Sequence, residues 1–358
     1  MRRRKAAVRK STRKLPLKKR KTRTLRRRVA KPSPLWTALI RRAGSRYALD
    51  HPPAEGQDAQ VYVNSLWYGC YMSEGRRIPH TQYAACADAF LEGYFSQLGR
   101  AKPDWALVPT KKSIAAVVTA FNEEKTIEAV LNQLHRMPVR EIIVVVNGST
   151  DSSFALARRS ARATVVHYPN SLGHDVGRSI GARLSGSDMV LFLDGDIPIM
   201  AEQLAPFIRA IDHGADVALN DMTPHFGPFF TRDGVTIMKE FLNTVQGRPD
   251  LKSNSMTAIP HILSRKAIEQ IGAANLVVPP KAQSLALELG LVVVAAGSVD
   301  VIKGNKVTRF NTGIANPVSN LIIGDHLEAV HTLLKRHASR LNYKDVMRKR
   351  AKLQGGTT

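Results

Sequence analysis

Two cysteines in 358 residues, Cys70 and Cys86, exclude a disulfide framework or an all-thiolate zinc cluster. They could pair, but a chain with 44% hydrophobic residues has core enough without a bridge. Reduced thiols in a cytoplasmic protein are the expectation. No stretch approaches the roughly 18 consecutive apolar residues of a membrane span. The N-terminus lacks the apolar segment and small-residue cleavage site of a secretory signal. Aromatics make up only 6% of the chain, yet eight of them crowd into residues 61–99. Residues 1–49 contain no Asp or Glu against 20 Lys and Arg, leaving 33 basic and 29 acidic residues for the remainder. The net charge of +24 is therefore mostly a tail, and the rest is nearly balanced.

Residues 1–34 read as a disordered basic tail, self-repelling and without an apolar face. Its expected partner is an anionic membrane surface, nucleic acid or a polyanionic polymer, which would make the protein peripheral at such a surface. Residues 35–110 read as a Pro/Gly/Asp-containing linker to about residue 60, then an aromatic-rich helical extension with a helix over 84–98. From Ser113 strands and helices alternate. Strands are expected at Ile114–Ala120, Glu141–Val146, Ala163–His167 and Met189–Leu193. Helices are expected after Asn122, at Ser152–Ala161 and at Asp175–Leu184. The series predicts an α/β fold with a mostly parallel sheet and helices on both faces. Beyond Asp196 the rhythm loosens: a strand at 215–220, helices at 234–245, 264–271 and 319–341, and a strand at 291–296. The organisation expected is a first half over 111–221, a second half over 222–345, and 346–358 as a basic frayed tail.

Asp194-Gly195-Asp196 ends the apolar run Met189–Leu193. Two carboxylates at the end of a buried strand call for a cation beside them. In extended backbone, residues i and i+2 point the same way, so both could face one hard divalent ion. Three polar turns, Thr119–Glu124, Asn147–Asp151 and Asp194–Asp196, fall at the carboxyl ends of expected parallel strands, where ligands of such sheets bind.

Val117-Val-Thr-Ala-Phe-Asn-Glu-Glu124, Ile142-Ile-Val-Val-Val-Asn-Gly-Ser-Thr-Asp151 and Leu191-Phe-Leu-Asp-Gly-Asp196, in that order and spacing, resemble a family 2 type glycosyltransferase of the GT-A fold, the nucleotide-diphospho-sugar transferase fold. The resemblance covers 113–221 well, 222–340 in outline and 1–110 not at all. It implies a nucleotide-sugar donor, usually a uridine diphosphate sugar, an acceptor it does not identify, and a divalent metal, Mn²⁺ or Mg²⁺. It also implies that Thr119, Ala120, Phe121 and Glu123 line the base and ribose. Asn147, Gly148 and Ser149 would flank the uracil, and Asp194 and Asp196 the ribose and metal–diphosphate. Arg178, in Gly173-His-Asp-Val-Gly-Arg178, could reach the phosphates or Asp194, or simply belong to a capped helix start.

The chain departs from that pattern in two places. Val146-Asn147 stand where the family commonly has two acidic residues. The slot that supplies an inverting enzyme's carboxylate base holds Pro279-Pro280-Lys281, so no catalytic base is assigned. The pattern is closer to retaining enzymes resembling glucosyl-3-phosphoglycerate synthase, in which a later His completes the metal site. Here Asn305 or His326 would fill that role, with Lys303, Lys306 or Arg309 near the leaving phosphate. The competing readings are a catalytically degenerate scaffold and a nucleic-acid or anionic-surface binder acting through its tail.

Overall fold

The computed structural model describes residues 33–53, 58–75, 78–302 and 317–337, with 340, 341, 343 and 347. The tail over 1–32, the C-terminal tail from 348, and the candidates Lys303, Asn305, Lys306 and Arg309 lie outside the described residues.

Three helices come first: α1 (Pro34–Asp50), α2 (Ala59–Cys70) and α3 (Tyr83–Gln97). Much of the expected linker is thus helix α1. Gly44, within that stretch, is a packing contact. A Cβ there would lie 2.3 Å from the Phe90 carbonyl oxygen, and one at Gly93 2.0 Å from that of Arg41. Only glycine lets the two backbones approach so closely. Trp67, Tyr71, Tyr83, Phe90 and Tyr94 form an aromatic core beneath them, reaching Leu107 and Ala205. Trp67 Nε1 donates to Tyr83 Oη at 2.7 Å, and Tyr83 Oη donates to the Leu107 carbonyl at 3.1 Å. The Asn64 side chain donates to Thr110 O and accepts from Val108 N. Burial pushes the Cys70 thiol up to about 12 and Cys86 to about 11; both are unbonded.

The alternating series follows as β1 (Ile114–Ala120), α4 (Ile127–His135), β2 (Glu141–Asn147), α5 (Ser153–Ala157), β3 (Ala163–Tyr168), α6 (Val176–Leu184) and β4 (Met189–Asp194). Then come α7 (Ala201–Asp212), β5 (Val217–Asn220), α8 (Gly234–Val245), β6 (His261–Ser264), α9 (Arg265–Ile271), α10 (Pro279–Glu288), β7 (Val293–Gly297) and α11 (Pro317–Arg336). Among the described residues the sheet has seven strands in the order β3-β2-β1-β4-β6-β5-β7. Only β6 runs against its neighbours. The expected α/β fold, mostly parallel with helices on both faces, is the one observed.

Alternation along β1 divides the core. Ile114, Ala116, Val118 and Ala120 meet Val130 and Leu134 of α4 and Leu204 and Phe207 of α7. Ala115 and Val117 face the other way, toward Ala182 of α6 and residues of α9 and α10. Because β2 and β3 lie on one side of β1 and β4 on the other, the order reverses between β1 and β4. Crevices open at such switch points beyond the carboxyl ends of strands. Helix α6 sits low on this crevice because a Cβ at Gly181 would lie 2.3 Å from Val117 Cγ1. Gly181→Ala should therefore lower the unfolding free energy by about 1–2 kcal/mol, read as a lower urea midpoint at unchanged slope. Overpacking of roughly 1–3 kcal/mol outweighs the helix-propensity gain of up to about 1 kcal/mol.

Candidate functional site

Thr119 and Asp194 are register partners at the ends of β1 and β4. Thr119 Oγ1 donates to Asp194 Oδ1 at 2.9 Å. Arg178, on the first turn of α6, reaches the same carboxylate with Nη2 at 3.7 Å. Its Nε lies 3.1 Å from Asp175 Oδ1, and Nη1 donates to the Met256 carbonyl at 2.9 Å. The residue is 4% exposed. Gly177 makes this reach possible, since a Cβ there would come within 2.8 Å of Thr119 Cγ2. Asp175 holds a left-handed backbone with φ 61°, which Asp tolerates better than most residues.

Gly195 N donates to Thr119 O at 2.8 Å, and a Cβ at Gly195 would meet Thr119 O and Ala120 Cβ at 3.2 Å. Residues 195–196 form a turn, so strand alternation does not govern where Asp196 points. That corrects the expectation of two carboxylates aligned by extended backbone. Both remain at the crevice mouth, each partly exposed. Among the described residues no three His, Cys, Asp or Glu side chains gather as a metal cluster. Asp194 and Asp196 are the carboxylates that could hold a metal at this end of the crevice. Such hard oxygen donors suit Mg²⁺ or Mn²⁺ completed by diphosphate oxygens and water.

On the other side of the crevice two turns are laced together. Asn122 N donates to Ser149 Oγ at 3.0 Å, and Thr150 N to Asn122 Oδ1 at 2.8 Å. Glu123 N donates to Ser153 Oγ at 2.6 Å, Glu124 N to Asp151 Oδ2 at 3.1 Å, and Ser152 N to Glu124 Oε2 at 3.2 Å. Hydrogen bonds from Ser153 hold Asp151 below the usual carboxylate range against the opposing effect of burial. Phe121 projects from this rim, 49% exposed, while Glu123 is buried, its carboxylate 3.4 Å from Thr126 Oγ1. Ala120 is buried beneath them. Gly148 carries φ 77° and lies against Ser171.

Asn147, expected beside a base, instead latches the loop before α6. Its Nδ2 donates to Gly173 O at 2.8 Å and its Oδ1 accepts from Leu172 N at 2.8 Å. Both halves of the amide are used, which an aspartate could not reproduce.

The second half closes the crevice with α8 and α11. His326 is fully buried; its Nδ1 lies 2.6 Å from Ile322 O, and burial pushes its pKa down to about 4. The nearest charge acting on it is Lys239, not the acid pair. Burial also lowers Lys239 to about 8, with Arg178 adding to the effect. Sequence reasoning passed over Lys239; its signal was one cation on the helix face shared with buried Thr236 and Asn243. Asp325 is raised to about 6 by burial and then by Asp175. His261 stacks on Phe192 at 5.0 Å and is lowered to about 3 by burial and Arg178. His225 contacts Ser298 and Asp300 away from this group. Pro279 and Pro280 open α10, both buried, and Lys281 pairs with Glu328 at 2.9 Å. That helix start offers no carboxylate.

Residues 115–272 match the family model "Glycosyl transferase family 2". Among curated proteins, 4,4'-diaponeurosporenoate glycosyltransferase of Staphylococcus haemolyticus is 32% identical over 99 residues, 26% of each chain. Glucosyl-3-phosphoglycerate synthase of Mycobacterium tuberculosis is 27% identical over 157 residues, 39% of this chain and 42% of that one. The chain thus spans well under half the length of these relatives. A crystal structure of the M. tuberculosis synthase with Mn²⁺, uridine diphosphate and glucosyl-3-phosphoglycerate aligns with TM-score 0.42 at 21% identity, covering 66% of this chain and 82% of that one.

Asn147→Asp should lower unliganded stability by about 1–3 kcal/mol in urea unfolding, because Gly173 O then faces a carboxylate in place of a donor. The buried imidazoles give a pH signature. The unfolded chain takes up protons near 6.5, while His326 and His261 refuse them until about 4 and about 3. Stability should fall as pH drops below about 6.5, by about 1.4 kcal/mol per pH unit for each group. His261→Gln should remove one group's share of that slope in a pH series of chemical melts.

Proposed function

We propose, from the match of residues 115–272 to the glycosyl transferase family 2 model, that the chain is a metal-dependent glycosyltransferase using a uridine diphosphate sugar, with retention at the transferred carbon. The observation that carries the reading is the Thr119–Asp194–Arg178 constellation at the β1/β4 switch point, with Asp196 in the adjoining turn. The named relatives support the reaction class, and the Mn²⁺ and uridine diphosphate of the M. tuberculosis complex name the ligands to try first. Retention is supported by the proline-opened α10, where an inverting enzyme's carboxylate base was expected.

The laced turns at 121–124 and 147–153 give a fixed wall for the base and ribose, with Phe121 as its apolar surface. Asp194, oriented by Thr119 and Arg178, faces the ribose and diphosphate side. Asp194 and Asp196 would hold the divalent ion, which when bound supplies Lewis-acid neutralisation of the leaving diphosphate. Arg178 adds positive potential where negative charge collects. The sugar and the acceptor are left open; the basic tail is proposed to bring the enzyme to an anionic surface.

A thermal-shift series with uridine, guanosine and adenosine diphosphates, each with Mn²⁺ or chelator, tests the reading. A ligand binding only the folded state raises its stability by about 2.7 kcal/mol at a hundredfold excess over Kd. Uridine diphosphate with Mn²⁺ should raise the melting temperature. Asp196→Ala should abolish that shift while melting as the parent does without ligand. An equal shift in the variant would place the metal elsewhere, and no shift with any nucleotide would favour the degenerate scaffold.

A further inference from the structure

Helices α8 and α11 pack side by side through Leu242 and Val245 against Ala329 and Leu333. A Cβ at Gly234 would touch Ile323 Cδ1 at 3.4 Å, so the two helices keep step along the seam. Lys239 lies three residues before Leu242, and His326 three before Ala329. Both stand on the faces that meet, at one level. The charge of Lys239 acts on His326, and that of Arg178 on Lys239. Three nitrogen-bearing side chains from α6, α8 and α11 therefore converge beside the Asp194 end of the crevice.

Their partners are unequal. Arg178 has Asp175, Asp194 and the Met256 carbonyl. Lys239 is only partly exposed, and its Nζ makes no hydrogen bond or ion pair with the described residues. The carboxylate that acts on it, Asp233, is occupied as the cap of α8, accepting from Thr236 N at 2.7 Å. His326 uses Nδ1 on Ile322 O, and its Nε2 is buried without a partner. A half-buried cation without an ion pair, beside a buried imidazole nitrogen without a partner, costs stability that an apolar pair would not. Such a cost is retained where a ligand recovers it.

We propose that Lys239 and His326, backed by Arg178, form a subsite for a single oxyanion, a phosphate or carboxylate group held between α8 and α11. The anion accepts from Lys239 Nζ and, with one proton taken up from solvent onto His326 Nε2 as it binds, accepts from that N–H as well, so both groups gain a partner at once. His326 then serves the anion and not the metal. Two ligands can present this chemistry: the donor's diphosphate, or an acid group on the acceptor. The subsite rests on the transferase reading only for which of these supplies it.

The test uses the full chain, Lys239→Met, Lys239→Gln and His326→Gln, with circular dichroism and melting curves to establish folding. Lys239→Met should melt no lower than the parent, because Lys239 has no ion pair to lose. Isothermal titration then follows inorganic phosphate and uridine diphosphate, each with Mg²⁺, and phosphate into protein already saturated with uridine diphosphate. If the acceptor supplies the anion, phosphate binds the nucleotide-saturated parent and weakens at least tenfold in Lys239→Met, with uridine diphosphate within twofold. If the donor supplies it, uridine diphosphate weakens at least tenfold in the variant. Parent that binds phosphate but no nucleotide, with phosphate lost in Lys239→Met, keeps the subsite and overturns the transferase reading. A folded Lys239→Met or Lys239→Gln that binds both probes within twofold of the parent overturns the subsite, as does a parent that binds neither.

Discussion

Arg178 cannot shed its charge, and it is almost wholly enclosed. Everything at the crevice mouth answers to that constraint. A buried guanidinium must be met by acceptors, and those it finds come from three separate segments: Asp175 before α6, Asp194 at the end of β4 and the Met256 carbonyl before β6. The glycines of α6 matter because they lower the helix far enough for one side chain to span these places. Removing a partner of a buried charge is far more damaging than removing the pair. The arrangement thus ties the position of the carboxylate facing the crevice to the packing of a helix behind it.

The same charge shapes the protonation of its neighbourhood. His261 stays neutral partly because Arg178 is close, and Lys239 is disfavoured as a cation by the same group. Asp325, on α11, is pushed the other way by burial and by Asp175. Titratable groups with opposed shifts meet where α6, α8 and α11 converge, and such clustering is common where a protein handles charged ligands.

Much of this was legible in the chain. Each of the four parallel strands was written as an apolar run ending in polar residues, and β1, β2 and β4 appear within a residue of their expected bounds. The Asp-Gly-Asp cluster fell at the crevice because strand order and turn position are local matters. What was not legible depended on contacts distant in sequence. Gly44 looks like a helix breaker until Phe90 of α3 is laid against it. Pro206 hid α7, and β6 is four residues long with a histidine at its start. Nor was the latch at Asn147 legible, because nothing in its neighbourhood announces that Leu172 and Gly173 return to it. Lys239 was passed over, since what brings it near α11 and α6 is distant in sequence.

The lacing of the 121–124 and 147–153 turns also has a thermodynamic consequence. Each turn offers donors that the other's acceptors meet, so the wall is ordered before anything arrives. A molecule settling against it carries no entropic debt for freezing a loop. The heat-capacity change on its arrival then reflects apolar area covered, chiefly at Phe121, without the large negative contribution of coupled folding. Whatever reshaping accompanies capture is left to the opposite flank, where α8 and α11 meet.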